Sequence, residues 1–211
     1  MTGWIIWGSA LCIYALFRGW YDNWHGPLTS DEIAGYLQKL DGRSDTTPEA
    51  IEAVRRFIEA DDGKDFVMFN IVKATLTPVA DPSTGAMVPG VDLLRRYARQ
   101  FTPVLIANGG HPAIIRRKIG GYMDSWETEP DPGWTIIGLM RYRSRRDMMN
   151  LIVDPRFEAA HPDKLAGTLA TFSFPTAPMG GLYLGPRLWL ALALALVAAL
   201  VHLALLSAVI D

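Results

Sequence analysis

The side chains able to move protons near neutral pH are few in this sequence. It contains four histidines, His25, His111, His161 and His202, and one cysteine, Cys12. No two of them have metal-ligand spacing, so the sequence predicts no metal site. It also lacks a phosphate-binding glycine loop and a nucleophile-elbow motif. His111 and His161 are therefore the candidate general bases, with a capping or surface role as the alternative for each.

His202 is the one ionisable side chain in the apolar stretch 188–210, where an imidazole needs a partner. Small residues precede it at helical spacing and would let a helix or a flat macrocycle approach closely: Ala191, Ala195, Ala198 and Ala199. We expect a hydrogen bond to a neighbouring helix. The segment 201–207 also resembles a stretch of purple-bacterial antenna α polypeptides, which implies bacteriochlorophyll or, alternatively, haem at His202. No other cofactor is predicted.

Two uncharged segments near the ends of the sequence predict membrane helices. The chain has 211 residues, 50% of them hydrophobic, with a mean hydropathy of +0.14. Residues 188–210 are long enough to cross a hydrocarbon core of roughly 30 Å. Residues 1–20 form a shorter candidate with tryptophans near both ends, as at membrane interfaces. We expect two spans, the first an uncleaved anchor because no basic residue precedes its apolar run.

The charged residues nearest the spans predict the topology. Arg18 and Arg187 both lie on the side of the central region, which the positive-inside rule places in the cytoplasm. We therefore expect a protein of the bacterial inner membrane with both termini on the opposite side. The net charge of −2 and the mixing of acidic with basic residues indicate no nucleic-acid partner.

Helix and strand signals divide the region between the spans. Capping residues Thr29 and Thr47 open two helices, which form a helical extension over residues 21–64. Residues 65–176 then carry strand, helix, strand, strand, helix and strand patterns, with a hairpin-like excursion near 81–85. A linker, residues 177–187, leads to the last span.

The order βαββαβ predicts an α+β, ferredoxin-like domain with both helices on one face of an antiparallel sheet. The other sheet face remains uncovered in such a fold. An apolar uncovered face is most simply buried against a second copy, so we expect a homodimer or a larger membrane complex.

Several short segments resemble the dimeric α/β-barrel superfamily. They are residues 69–73, Tyr97, Gly109-Gly110, Trp134, residues 141–144 and residues 154–157. The branch that they resemble is a bacterial domain of unknown function, related to EthD-like and antibiotic-monooxygenase-like folds. The resemblance covers residues 65 to 175 and implies the fold. Members range from cofactor-free oxygenases and haem enzymes to binding modules, so it implies no reaction.

Strand alternation provides a candidate pocket on the sheet. Its predicted lining residues are Asn70, Phe66, Met68, Arg116, Trp134, Met140 and Tyr142. The lack of a recognisable catalytic set favours a membrane-anchored accessory or assembly subunit. The alternatives are an enzyme or binding protein for a lipophilic aromatic or quinone-like small molecule, and a pigment- or haem-binding subunit.

Overall fold

The computed structural model describes residues 2–41, 47–180 and 184–210. Its contacts divide the chain into two compact units. One unit is His25–Pro178, and the other combines Met1–Trp24 with Met179–Asp211.

The described part of the chain contains seven helices and six strands. The helices are α1 (Thr2–Tyr21), α2 (Ser30–Asp41), α3 (Pro48–Glu59), α4 (Gly90–Ala107), α5 (Arg145–Ile152), α6 (Pro155–Ala166) and α7 (Pro186–Ile210). The strands are β1 (Phe66–Ala74), β2 (Pro78–Ala80), β3 (Met87–Pro89), β4 (His111–Arg117), β5 (Ile136–Tyr142) and β6 (Thr168–Thr176).

The larger unit contains a four-stranded sheet in the order β4-β5-β1-β6. All neighbouring strands in this sheet are antiparallel. The predicted α+β class with an antiparallel sheet is therefore confirmed. The predicted excursion after β1 is a separate hairpin, in which Val79 of β2 pairs with Val88 of β3.

Helices cover the sheet face that carries Phe66 and Tyr142. These two rings stack with centroids 5.3 Å apart, and both are buried. The core around them includes Leu105 of α4 and Met149 of α5, both fully buried. Burial of its phenol raises the pKa of Tyr142, because a phenolate would lose its hydration there.

The helical extension shares this core. Leu40 of α2 and Ile58 of α3 belong to the buried cluster that contains Phe66. The Tyr36 hydroxyl donates a 2.6 Å hydrogen bond to Asn150 of α5. Helices α2 and α3 are thus part of the larger compact unit.

The predicted helix starts are confirmed where caps identified them. At α2, Thr29 and Glu32 bond each other's backbone amides at 2.8 and 3.3 Å, which is a capping box. The Thr47 side chain accepts from the amide of Ala50 at α3. Ser144, which caps α5, accepts from the amide of Asp147 at 3.1 Å.

An ion-pair cluster fixes the β2–β3 hairpin to the helices. The Arg96 guanidinium donates to both oxygens of Asp81, before the hairpin turn, and to both oxygens of Asp163 on α6. These contacts are 2.6–3.0 Å long, and both aspartates are buried. Such paired, bidentate geometry compensates the cost of burying carboxylates.

In the smaller unit, α1 packs along α7. The Tyr14 hydroxyl donates to the Arg187 carbonyl at 3.2 Å, and Ala198 is buried at the contact. Asp22 forms ion pairs with both Arg18 and Arg187. Among the described residues, one helix meets the length and hydropathy expected of a membrane span, over Pro186–Ala208.

Candidate functional site

The centre of the sheet face opposite the helices is apolar and carries a ladder of aromatic rings, while Lys73, Arg116 and Arg141 lie toward the edges of the same face. We call the apolar part the open face; its residues are Val67, Phe69, Ile71, Ile137, Leu139, Phe172 and Phe174. No described residue of the buried core cluster comes from this face. Phe172 and Phe174 are 42% and 43% exposed although both are large and apolar.

The rings on the open face contact one another in sequence. Trp134 meets Phe172 edge to face at 5.1 Å, and Phe172 stacks on Phe174 at 6.1 Å. Phe174 in turn stacks on Phe69 of β1 at 5.2 Å. Such geometries are the preferred ones for aromatic pairs, so the ladder is a stable, preformed surface.

A cavity of about 370 Å³ lies at one end of the open face. Ile71 and Ile137 contribute from the sheet, and Phe172 contributes from the edge strand. The segment between β4 and β5 supplies the remaining walls, namely Lys118, Tyr122, Thr128, Glu129, Pro130, Pro132 and Trp134. The cavity is open to solvent on one side, and its lining is largely apolar, as in small-molecule sites.

Polar groups at this cavity are held in fixed positions. Lys118 forms a hydrogen-bonded ion pair with Asp131, and its ammonium lies 5.5 Å from the centroid of the Tyr122 ring. The Trp134 indole N–H donates to the Tyr122 hydroxyl at 3.2 Å. The hydrogen bond from the Lys118 ammonium also lowers the pKa of the Asp131 carboxyl.

Most predicted pocket residues lie elsewhere. Phe66, Met68, Met140 and Tyr142 share one sheet face, as alternation predicted, but it is the face that packs on the helices. Period-two alternation assigns residues to two faces without showing which face the helices cover. The cavity therefore lies on the side opposite these four residues.

Asn70 has a different environment from the one predicted for a ligand-binding amide. Its amide nitrogen donates to the carbonyls of Met68 and Gly138 at 3.0 and 3.1 Å. Its amide oxygen accepts from the Ser173 hydroxyl at 2.7 Å. The Asn70 side chain thus links three neighbouring strands of the sheet.

Two other predicted pocket residues lie near the cavity. Trp134 lines it directly. Arg116 is exposed on β4 and pairs in register with Ile137, a lining residue, but is itself not part of the lining.

The two candidate general bases lie on different elements and outside the cavity lining. His111 begins β4, opposite Arg141, and its Nδ1 lies 3.1 Å from the Pro112 carbonyl oxygen. His161 lies on α6, with its ring 5.7 Å from that of Phe157. The structure does not bring these two histidines into one site.

His202 contacts the neighbouring helix. The Trp7 indole N–H of α1 donates to its Nδ1 at 3.4 Å. Its Nε2 lies against Gly3, where an added Cβ would be 2.9 Å away. The hydrogen bond that the sequence predicted for His202 is therefore present in the smaller unit.

Sequence reasoning missed the loop residues that build the cavity. Lys118 and Asp131 are thirteen positions apart, a spacing with no motif. Both lie in the segment between Arg117, where β4 ends, and Ile136, where β5 begins. The available signal was the density of aromatic and proline residues between the two strands.

The fold and the cavity define an α+β protein with a helix-covered antiparallel sheet and an apolar open face.

No family model matches the chain, and no curated protein matches it significantly. It is similar to the crystal structure of RPA0582, a protein of unknown function from Rhodopseudomonas palustris. The TM-score is 0.52 at 21% identity, over 66% of this chain and 99% of that one. For methylated RPA0582 the TM-score is 0.53 at 20% identity, over 67% and 98%. At this identity the likeness shows the fold alone.

Proposed function

We propose that the protein is a membrane-anchored accessory subunit whose α+β unit pairs with a second copy through the open face. The observation that carries this proposal is the exposed aromatic ladder, in particular Phe172 and Phe174 on the edge strand. A contiguous apolar patch of this kind marks an interaction surface in soluble domains.

The segment between β4 and β5 supports the same proposal. Its side chains Ile119, Met123 and Trp126 are 92%, 96% and 82% exposed. Large apolar groups lose water favourably when buried, at roughly 25 cal/mol per Å². We infer that a second copy covers these side chains together with the open face.

The sheet topology favours a second copy over an unrelated partner. The antiparallel order β4-β5-β1-β6, with helices on one face, agrees with a ferredoxin-like arrangement. In the dimeric α/β-barrel superfamily, which parts of the sequence resemble, two such sheets close face to face. A twofold pairing also lets one self-complementary patch satisfy both copies.

We further propose that α1 and α7 form a two-span anchor. Helix α7 is apolar over Pro186–Ala208, and α1, with 20 residues, is long enough to cross roughly 30 Å of hydrocarbon. The Asp22 ion pairs with Arg18 and Arg187 would lie at one interface. Both arginines then belong to the cytoplasmic side of a bacterial inner membrane.

The test is the oligomeric state of the full chain in nanodiscs, measured by native mass spectrometry. We expect a dimer that Phe174→Glu dissociates, because it places a charge on the open face. Leu165→Glu is the control: Leu165 is 58% exposed but lies on α6, outside the open face. A monomeric native chain, or a dimer unaffected by Phe174→Glu, would overturn the pairing.

Anchoring is tested separately by alkaline carbonate extraction of membranes. A protein held by two spans stays in the pellet, and its release into the supernatant would contradict the anchor.

A further inference from the structure

We propose that the cavity at the end of the open face binds a planar, fused-ring aromatic molecule that carries a carbonyl oxygen. This inference goes beyond the proposed pairing, because all lining residues come from one copy of the chain.

The side chains that line the cavity favour a ligand with an apolar, flat body. Trp134 and Phe172 meet nearly perpendicularly, at 77°, and so form a corner of two aromatic surfaces. Ile71 and Ile137 provide branched aliphatic surface from the sheet. A flat ring system gains contact with all four side chains at once, whereas a bulky saturated molecule does not.

The size of the ligand follows from the cavity and its rim. A volume of about 370 Å³ is at the small end of ligand sites. Pro130 and Pro132 stiffen the rim, since proline fixes its own backbone dihedral. The site therefore suits a molecule of two fused rings.

We infer a carbonyl oxygen on the ligand because the Lys118 ammonium can donate further hydrogen bonds. An ammonium has three N–H donors, and one of them bonds Asp131. Both side chains of this pair are about four-fifths buried, with 18% and 20% exposed. A ligand oxygen next to Lys118 would accept a charge-assisted hydrogen bond without breaking the ion pair.

The experiment titrates the full chain in nanodiscs with two naphthalene probes. They are 2-acetylnaphthalene, which carries the acceptor, and 2-ethylnaphthalene, which lacks it. Probe fluorescence is read against empty nanodiscs, so partitioning into lipid is subtracted equally for every variant. We expect 2-acetylnaphthalene to bind more tightly than 2-ethylnaphthalene.

Two variants and a matched control locate the site. Phe172→Ala should weaken 2-acetylnaphthalene binding about tenfold, because one aromatic wall is lost. Ile137→Trp should abolish binding by filling the cavity. Leu165→Ala should leave the affinity unchanged, since Leu165 is exposed on α6 and does not line the cavity.

A third variant tests whether Lys118 binds the carbonyl oxygen of the ligand. Lys118→Met should bring the affinities for the acetyl and ethyl probes together. Equal affinity of the native chain for these two probes, or unchanged binding in both Phe172→Ala and Ile137→Trp, overturns the proposal. Native mass spectra of the same samples report pairing independently, so a failure of either proposal is distinguishable from a failure of the other.

Discussion

Phe172 and Phe174 stack on each other with nearly parallel rings, 13° apart, but Phe172 lines the cavity and Phe174 does not. The two side chains share a strand, a face and almost the same exposure. Pairing of copies should depend on both rings, whereas ligand binding should depend on Phe172. This difference separates the two proposed properties of the open face.

Asn70 should be a structural residue. Asn70→Ala removes hydrogen bonds to two carbonyls and leaves the Ser173 hydroxyl without its acceptor. We expect a loss of about 1–3 kcal/mol in the free energy of unfolding, from the groups left unpaired. Chemical denaturation of the full chain in detergent, followed by near-ultraviolet circular dichroism, measures it. Ser173→Ala, which removes one bond, should cost less, and an equal or larger cost would contradict this assignment.

Arg96 should stabilise the contact between the hairpin and α6. Arg96→Gln leaves the carboxylates of Asp81 and Asp163 buried without their cation, so the melting temperature should fall. Arg95→Gln is the matched control, because Arg95 pairs with Asp92 where both side chains are mostly exposed. Thermal scans of the two variants should therefore differ. Similar melting temperatures for both would show that the Arg96 cluster contributes nothing.

The Glu32–Arg146 pair predicts a pH-dependent contribution to stability. Hydrogen bonding to Arg146 lowers the pKa of Glu32 to about 2. A carboxyl with a depressed pKa in the folded state stabilises fully above its unfolded pKa, about 4.3, and loses that contribution as the pH falls toward 2. Glu32→Gln should therefore be less stable than the native chain at pH 7, by roughly 1 kcal/mol or less after solvent screening.

The measurement for this pair is a denaturation series between pH 7 and pH 2 for the native chain and Glu32→Gln. The difference between them should shrink across the acidic part of the series. A difference that stays constant with pH would mean that the charge of Glu32 is not responsible.

Gly3 should be required where α1 meets α7. A Cβ at this position would lie 2.9 Å from His202 Nε2, so Gly3→Val must displace the imidazole from the Trp7 indole. We expect a lower melting temperature of the full chain in detergent. Gly8→Val is the control, because no neighbouring atom lies within 4 Å of its added Cβ. If both variants melt alike, close packing at His202 is not important.

The sequence was informative wherever a local rule governs structure. The caps at Thr29 and Thr47 each bond a helix amide three residues later, so the sequence identifies them without tertiary contacts. The α+β class followed from the order of strand and helix patterns. The sequence also predicted that His202 forms a hydrogen bond to a neighbouring helix, because an imidazole between apolar helices needs a polar partner.

The cavity was not predictable in the same way. Phe66 and Phe69 are both aromatic and lie on opposite faces of β1, so hydrophobicity alone does not tell which face the helices cover. The loop that completes the site is held by the long-range pair of Lys118 with Asp131. Contacts of this kind depend on the tertiary path of the chain rather than on local periodicity.

If α7 is the membrane anchor that we propose, it changes how strong a contact between copies has to be. Molecules confined to a bilayer meet in two dimensions and with restricted orientation, which raises their effective concentration as a linker would. An aromatic ladder too small to hold two freely diffusing molecules together would then be sufficient. Removal of the helix would convert a stable pair into a weak, concentration-dependent one, even with every side chain of the sheet unchanged.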